Sequence, residues 1–73
     1  MNKTISMRFN FLKQFRDYVF NEIGDEDIIE YWLMYGIPDG ADDDELINIA
    51  SDEDDWYNMV NAFAKCCKMA GVM

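Results

Sequence analysis

The sequence contains no histidine, a single proline and no lysine or arginine anywhere between residues 17 and 64. Without histidine the chain lacks the usual general base and the commonest metal ligand at neutral pH. The two cysteines are adjacent, Cys66-Cys67, so they make neither a disulfide framework nor a CxxC motif. No histidine stands ready to activate either thiol. No apolar run approaches the ~20 residues of a membrane span. The first residues, Met1 to Ser6, lack the continuous apolar core of a signal peptide, so a cytoplasmic protein with no membrane association is expected. A length of 73 residues fits one domain, residues 1–73, with no room for a separate cofactor-binding domain. No cofactor and no metal are expected.

What is present is apolar and acidic at once. Half of the residues are hydrophobic (51%), and two Trp, four Tyr and five Phe are far too many for a disordered chain. Fifteen acids against six bases give a net charge of −9. The order matters more than the sum. Residues 1–16 carry Lys3, Arg8, Lys13 and Arg16 and no acid, residues 17–64 carry every acid, and Lys65 and Lys68 follow. A salt-bridged helical surface intersperses the two signs. Here the middle segment faces solvent, or the termini fold back on it, or a basic partner covers it.

Periodicity predicts an all-α bundle of three to four short helices. Residues 4–9 alternate polar and apolar, which puts Ile5, Met7 and Phe9 on one side. This stretch reads as an extended arm, as the first turn of a helix, or as a strand pairing with a second copy of the chain. Asn10 is a suitable N-cap for a helix with Phe11, Leu12, Phe15, Tyr18, Val19 and Ile23 on its buried face. Gly24 fits the left-handed position after its end. Asp25 caps a second helix whose buried side is Ile28, Ile29, Trp32, Leu33 and Tyr35. Gly36-Ile37-Pro38 ends it, Gly36 supplying a left-handed residue, and Pro38-Asp39-Gly40 makes a turn. Asp42 to Glu45 reads as a capping box for a helix of about two turns carrying Leu46, Ile47, Ile49 and Ala50. Ser51 to Asp54 repeats the capping pattern. The last helix buries Trp56, Met59, Val60, Phe63, Cys67 and Ala70, leaves Cys66 peripheral, and stops at Gly71.

The residues argue against several chemistries. Asp39, Asp42 and Asp44, like Asp52, Asp54 and Asp55, are close in sequence but match no calcium-loop spacing. Carboxylates at helix starts are held ionised by the amides there, which does not suit acid catalysis. A charge of −9 opposes direct binding to nucleic acid, where phosphate contacts dominate affinity. The expectation is a chain that is not an enzyme.

Eleven acids fall at predicted helix starts: Asp25, Glu26, Asp27, Asp42, Asp43, Asp44, Glu45, Asp52, Glu53, Asp54 and Asp55. Capping and the helix dipole account for some of them, at ~0.3–1 kcal/mol each. Runs of three or four neighbouring acids exceed what helix initiation needs. Duplex DNA shows one charge per ~1.7 Å of axis, so a ~25 Å face corresponds to roughly fifteen phosphates. A rigid scaffold bearing fifteen carboxylates could therefore occupy the basic groove of a nucleic-acid-binding protein. The two runs Asp42-Asp43-Asp44-Glu45 and Asp52-Glu53-Asp54-Asp55, the short helical pattern and the missing histidine resemble small acidic proteins of phages and mobile elements. Some of those are DNA mimics that block restriction or CRISPR enzymes. The resemblance is one of size and composition over the whole chain, and it implies an inhibitor with a basic protein partner. The alternative is a small helical adaptor or regulator whose acids are merely solvated. Phe9, Phe20, Tyr31 and Met34 fall off the main faces and, with Ile5 and Met7, would supply its apolar interface, Ile5, Met7, Phe9 and Phe20 serving one between two copies of the chain.

Overall fold

The computed structural model describes residues 2–72. Asn2 opens helix α1, its side-chain oxygen accepting the Ile5 amide at 2.8 Å, and α1 runs Lys3–Asp17. The backbone continues into one wide π-helical segment, Tyr18–Ile23, closed by Gly24 at φ 67°. Helix α2 spans Glu26–Tyr35, α3 spans Asp43–Ser51 and α4 spans Glu53–Met69. The expected all-α bundle is thus the observed architecture.

Asp25 and Asp42 start α2 and α3 as their positions predict, whereas α4 is started by Asp52 and not by Ser51, which is the last residue of α3. Asp25 accepts from the amides of Asp27 and Ile28 at 2.9 and 3.2 Å. Asp42 accepts from Glu45 and Asp52 from Asp55, both at 2.9 Å. Only one half of the Asp42–Glu45 box forms: the Glu45 side chain is exposed and makes no bond back to the cap. Two bonds place the helices. The Cys66 thiol lies 3.9 Å from the Ile28 carbonyl, while Tyr35 and Gly36 share a groove with Asp55 and Asn58, so α2 and α4 run antiparallel. Arg8 donates to the carbonyl of Ala50 at the end of α3, and Arg16 borders Gly40 and Ala41 ahead of its start, so α1 and α3 are antiparallel too.

One core draws on every helix: Leu12, Val19, Ile28, Trp32, Ile37, Leu46, Ala50, Met59, Ala62 and Cys66. Phe15 stacks on Phe63 at 4.1 Å, and Trp32 meets Phe63 edge-on at 6.0 Å. Aromatic pairs of this kind add to simple burial.

Several expectations are corrected. Of the three readings of residues 4–9 the helical one holds and the arm and the strand do not, and Asn10 lies within α1 rather than at its start. Ile5, Phe9 and Leu12 also fit a helical spacing, and a helix satisfies backbone groups that a lone strand would leave unpaired. Phe11 is exposed, because the buried stripe centres on Leu12 and Val19. Tyr35, the last residue of α2, is 57% exposed rather than buried, whereas Trp32 one turn before it is fully buried. Cys66 is fully buried and not peripheral, Cys67 is nearly so, and Ala70 lies beyond the helix in solvent.

Gly36 is not left-handed; its φ and ψ are −98° and −110°. Glycine is needed there because a Cβ would overlap the Trp32 ring, whose Cδ2 and Cζ3 would be 2.7 Å away. Gly36→Ala is expected to cost ~1–3 kcal/mol, the usual penalty of overpacking, read as a lower urea midpoint at unchanged slope.

Candidate functional site

The fifteen acids share one physical state. Every one is on an exposed residue. Two have a basic side chain within 4.0 Å: Glu53, paired with Arg8 at 2.7 Å, and Asp17, beside Arg16 at 3.9 Å. The other thirteen face solvent with no basic side chain within 4.0 Å among the described residues. Of the three ways to neutralise the middle segment, folding back of the termini therefore accounts for little.

The acid runs are distributed along the molecule. Asp25, Glu26 and Asp27 start α2, at the end of the bundle where α4 finishes. Asp52, Glu53, Asp54 and Asp55 start α4, at the opposite end of that antiparallel pair. Asp42, Asp43, Asp44 and Glu45 start α3, which leads directly to the Asp52 cap. The whole spans 34 × 24 × 19 Å.

The six apolar candidates do not form one patch. Ile5, Phe9 and Tyr31 are half-buried and pack against the core. Met7, Phe20 and Met34 are exposed, Met34 at 67%. Phe20 borders a groove with Arg16, Leu33 and Ile37, while Met34 is near the far end of α2. Phe11, Tyr35 and Tyr57 are exposed aromatics; periodicity placed Phe11 and Tyr35 on buried faces and did not single out Tyr57. For Tyr35 the usable signal is its place as the last residue before a glycine-proline stop.

Around Tyr35 the surface has a defined shape. A groove of about 310 Å³ lies between the end of α2, the following turn, α3 and the start of α4. Tyr35, Pro38, Ile49 and Met59 form its apolar part; Asp55 and Asn58 supply oxygens. No basic residue of the chain lines it. Asp39 adjoins Pro38, and Glu45 stands one turn before Ile49 on α3, on the same helix face.

Metal and thiol chemistry find no support here. Among the described residues no three carboxylate or thiol groups converge where they could hold an ion. Burial pushes the Cys66 thiol up from its ordinary value of 9.0, and neighbouring Cys67 adds to this; burial alone raises Cys67. Both stay protonated at neutral pH, and the thiolate is the nucleophile. The native chain should therefore react with a disulfide reagent at least about tenfold more slowly than the urea-unfolded chain at pH 7. The same shifts set an alkaline limit. Above pH 9.0 the unfolded chain loses thiol protons that the folded chain keeps, so stability present below 9.0 falls as pH rises towards the folded values.

No described helix is long and apolar enough to cross a membrane. Neither a family model, nor a curated protein, nor a solved structure matches the chain.

Proposed function

We propose that the chain is a non-enzymatic, acidic protein-binding module that mimics nucleic acid and occupies the basic surface of a nucleic-acid-handling protein. One observation carries this reading: thirteen carboxylates are exposed and unpaired by any base of the chain. Fifteen carboxylates over 34 Å amount to one per ~2.3 Å, close to the ~1.7 Å charge spacing of duplex DNA. The helices hold them at fixed positions, which favours fast, steered association with a positive surface. Three of the acids also cap helices, so the same groups hold the scaffold and charge its surface.

A second reading has its own support. Met7, Phe11, Phe20, Met34, Tyr35 and Tyr57 are all exposed large side chains. They suit a helical adaptor that binds a partner, or a second copy, through apolar contacts.

Salt separates the two. The immobilised chain is exposed to a lysate of its source organism and eluted with a salt gradient, with duplex DNA as competitor. Release of a basic nucleic-acid-binding protein at a few hundred millimolar salt, and by DNA, is the result expected of the mimic. A partner that resists both supports the adaptor.

A further inference from the structure

We infer that the groove beside Tyr35 is the anchoring site for an arginine side chain of the protein partner. The inference rests on the proposed binding to a basic surface and names where on the chain that binding is fixed. Its pattern already occurs once within the molecule. Arg8 lies over the Trp56 ring at 5.0 Å, pairs with Glu53 at 2.7 Å, and donates to the Ala50 carbonyl at 3.3 Å. An aromatic face, a carboxylate and an amide-type oxygen together hold one guanidinium.

The groove offers the same three elements on the other side of α3 and α4. Tyr35 is the aromatic wall, exposed over half its surface and propped against Tyr31 at 4.7 Å. Asp55 is the carboxylate, and the Asn58 side chain can supply the amide oxygen. Ile49, Met59 and Pro38 give an apolar bed for the methylene stem, which arginine buries while its head stays polar. A volume of about 310 Å³ is at the bottom of the range for small-molecule pockets, which suits a single long side chain. The charge selects the occupant: among the described residues the groove is lined by one carboxylate, Asp55, and by no lysine or arginine. Arginine is favoured over lysine because its planar guanidinium stacks on an aromatic and donates to two acceptors at once. This makes the groove a hot spot within an otherwise diffuse charged surface.

The test uses the full chain, isotopically labelled, titrated with capped hexa-arginine and capped hexa-lysine peptides and followed by amide chemical shifts. The expected result is tighter binding of hexa-arginine, by about two- to fivefold, with the largest shifts at Tyr35, Gly36, Ile49, Asp55 and Asn58. Tyr35→Ala and Asp55→Asn should each remove that preference. Asp44→Asn, an equal charge change away from the groove, should weaken both peptides alike and leave the preference in place. The amide spectrum of each variant shows that it is folded. Equal binding of the two peptides, or shifts spread evenly over the acid runs, overturns the groove assignment while leaving charge-driven binding intact. Absence of binding by either peptide at low salt overturns both.

Discussion

Replacing Trp32 with alanine is expected to cost the chain between a quarter and all of its stability at 25 °C. Trp32 is fully buried and meets elements on two sides: Gly36 in the turn after α2 and Phe63 on α4. Truncating a buried tryptophan costs ~3–5 kcal/mol. A chain of 73 residues has a total stability of only ~4–11 kcal/mol at typical values per residue. The removal therefore takes away about a quarter of the stability at least, and all of it at the low end. Loss of far-UV helical signal at 25 °C, or a urea transition shifted to the lowest concentrations, is the outcome expected. Trp32→Phe should be much milder. It keeps an aromatic in place and deletes the indole Nε1, a buried donor that has no hydrogen-bond partner. Equal stability of the alanine variant and the parent would contradict the placement of Trp32 at the centre of the core.

The second large effect is on binding rather than folding. The variant Asp42→Asn, Asp43→Asn, Asp44→Asn, Glu45→Gln removes four charges from the start of α3. Asparagine caps helices as well as aspartate does, so the bond to residue 45 is kept and the fold survives. Exposed ion pairs contribute ~0.2–1 kcal/mol each, so losing four weakens partner binding by about fourfold to several hundredfold at low salt. The gap should close as salt rises and screening replaces the lost charge. Surface binding kinetics of parent and variant, at low and high salt, read this directly. A variant that binds as well as the parent at low salt would remove Asp42 to Glu45 from the interface.

The sequence made the helical character of the chain and the starts of α2 and α3 easy to read, while α1 starts at Asn2 rather than Asn10 and α4 at Asp52 rather than Ser51. Asp25, Asp42 and Asp52 are short acceptors placed just before apolar periods, and each bonds amides of its own first turn. Such features depend on near neighbours alone. The misread positions depend on distant ones. Ile5, Met7 and Phe9 fit both a strand and a helix, and only a helix provides internal partners for their backbone. Tyr35 has the spacing of a core residue, yet it is exposed whereas Trp32 one turn before it is fully buried. The need for glycine at residue 36 comes from the position of the Trp32 ring, which no local pattern reveals. Cys66 is buried because α4 packs antiparallel on α2, with its thiol by the Ile28 carbonyl.

The site divides the same way. That the acids could not pair within their own segment followed from 48 residues with no base in them; that the basic termini pair with only two of them did not. The groove beside Tyr35 did not follow, since its walls come from α2, α3, α4 and the turn after Gly36. Juxtapositions between residues twenty apart, such as Tyr35 and Asp55, exist only once the bundle is assembled.

The central claim is that the chain competes with nucleic acid for a basic protein. The most direct measurement is displacement. The captured partner is bound to a fluorescently labelled duplex, and the chain is titrated in while anisotropy is recorded. Loss of anisotropy to the value of free duplex, at near-stoichiometric chain and less readily for the Asp42–Glu45 variant, is the result predicted. A partner that binds the chain while its duplex stays bound would contradict the claim.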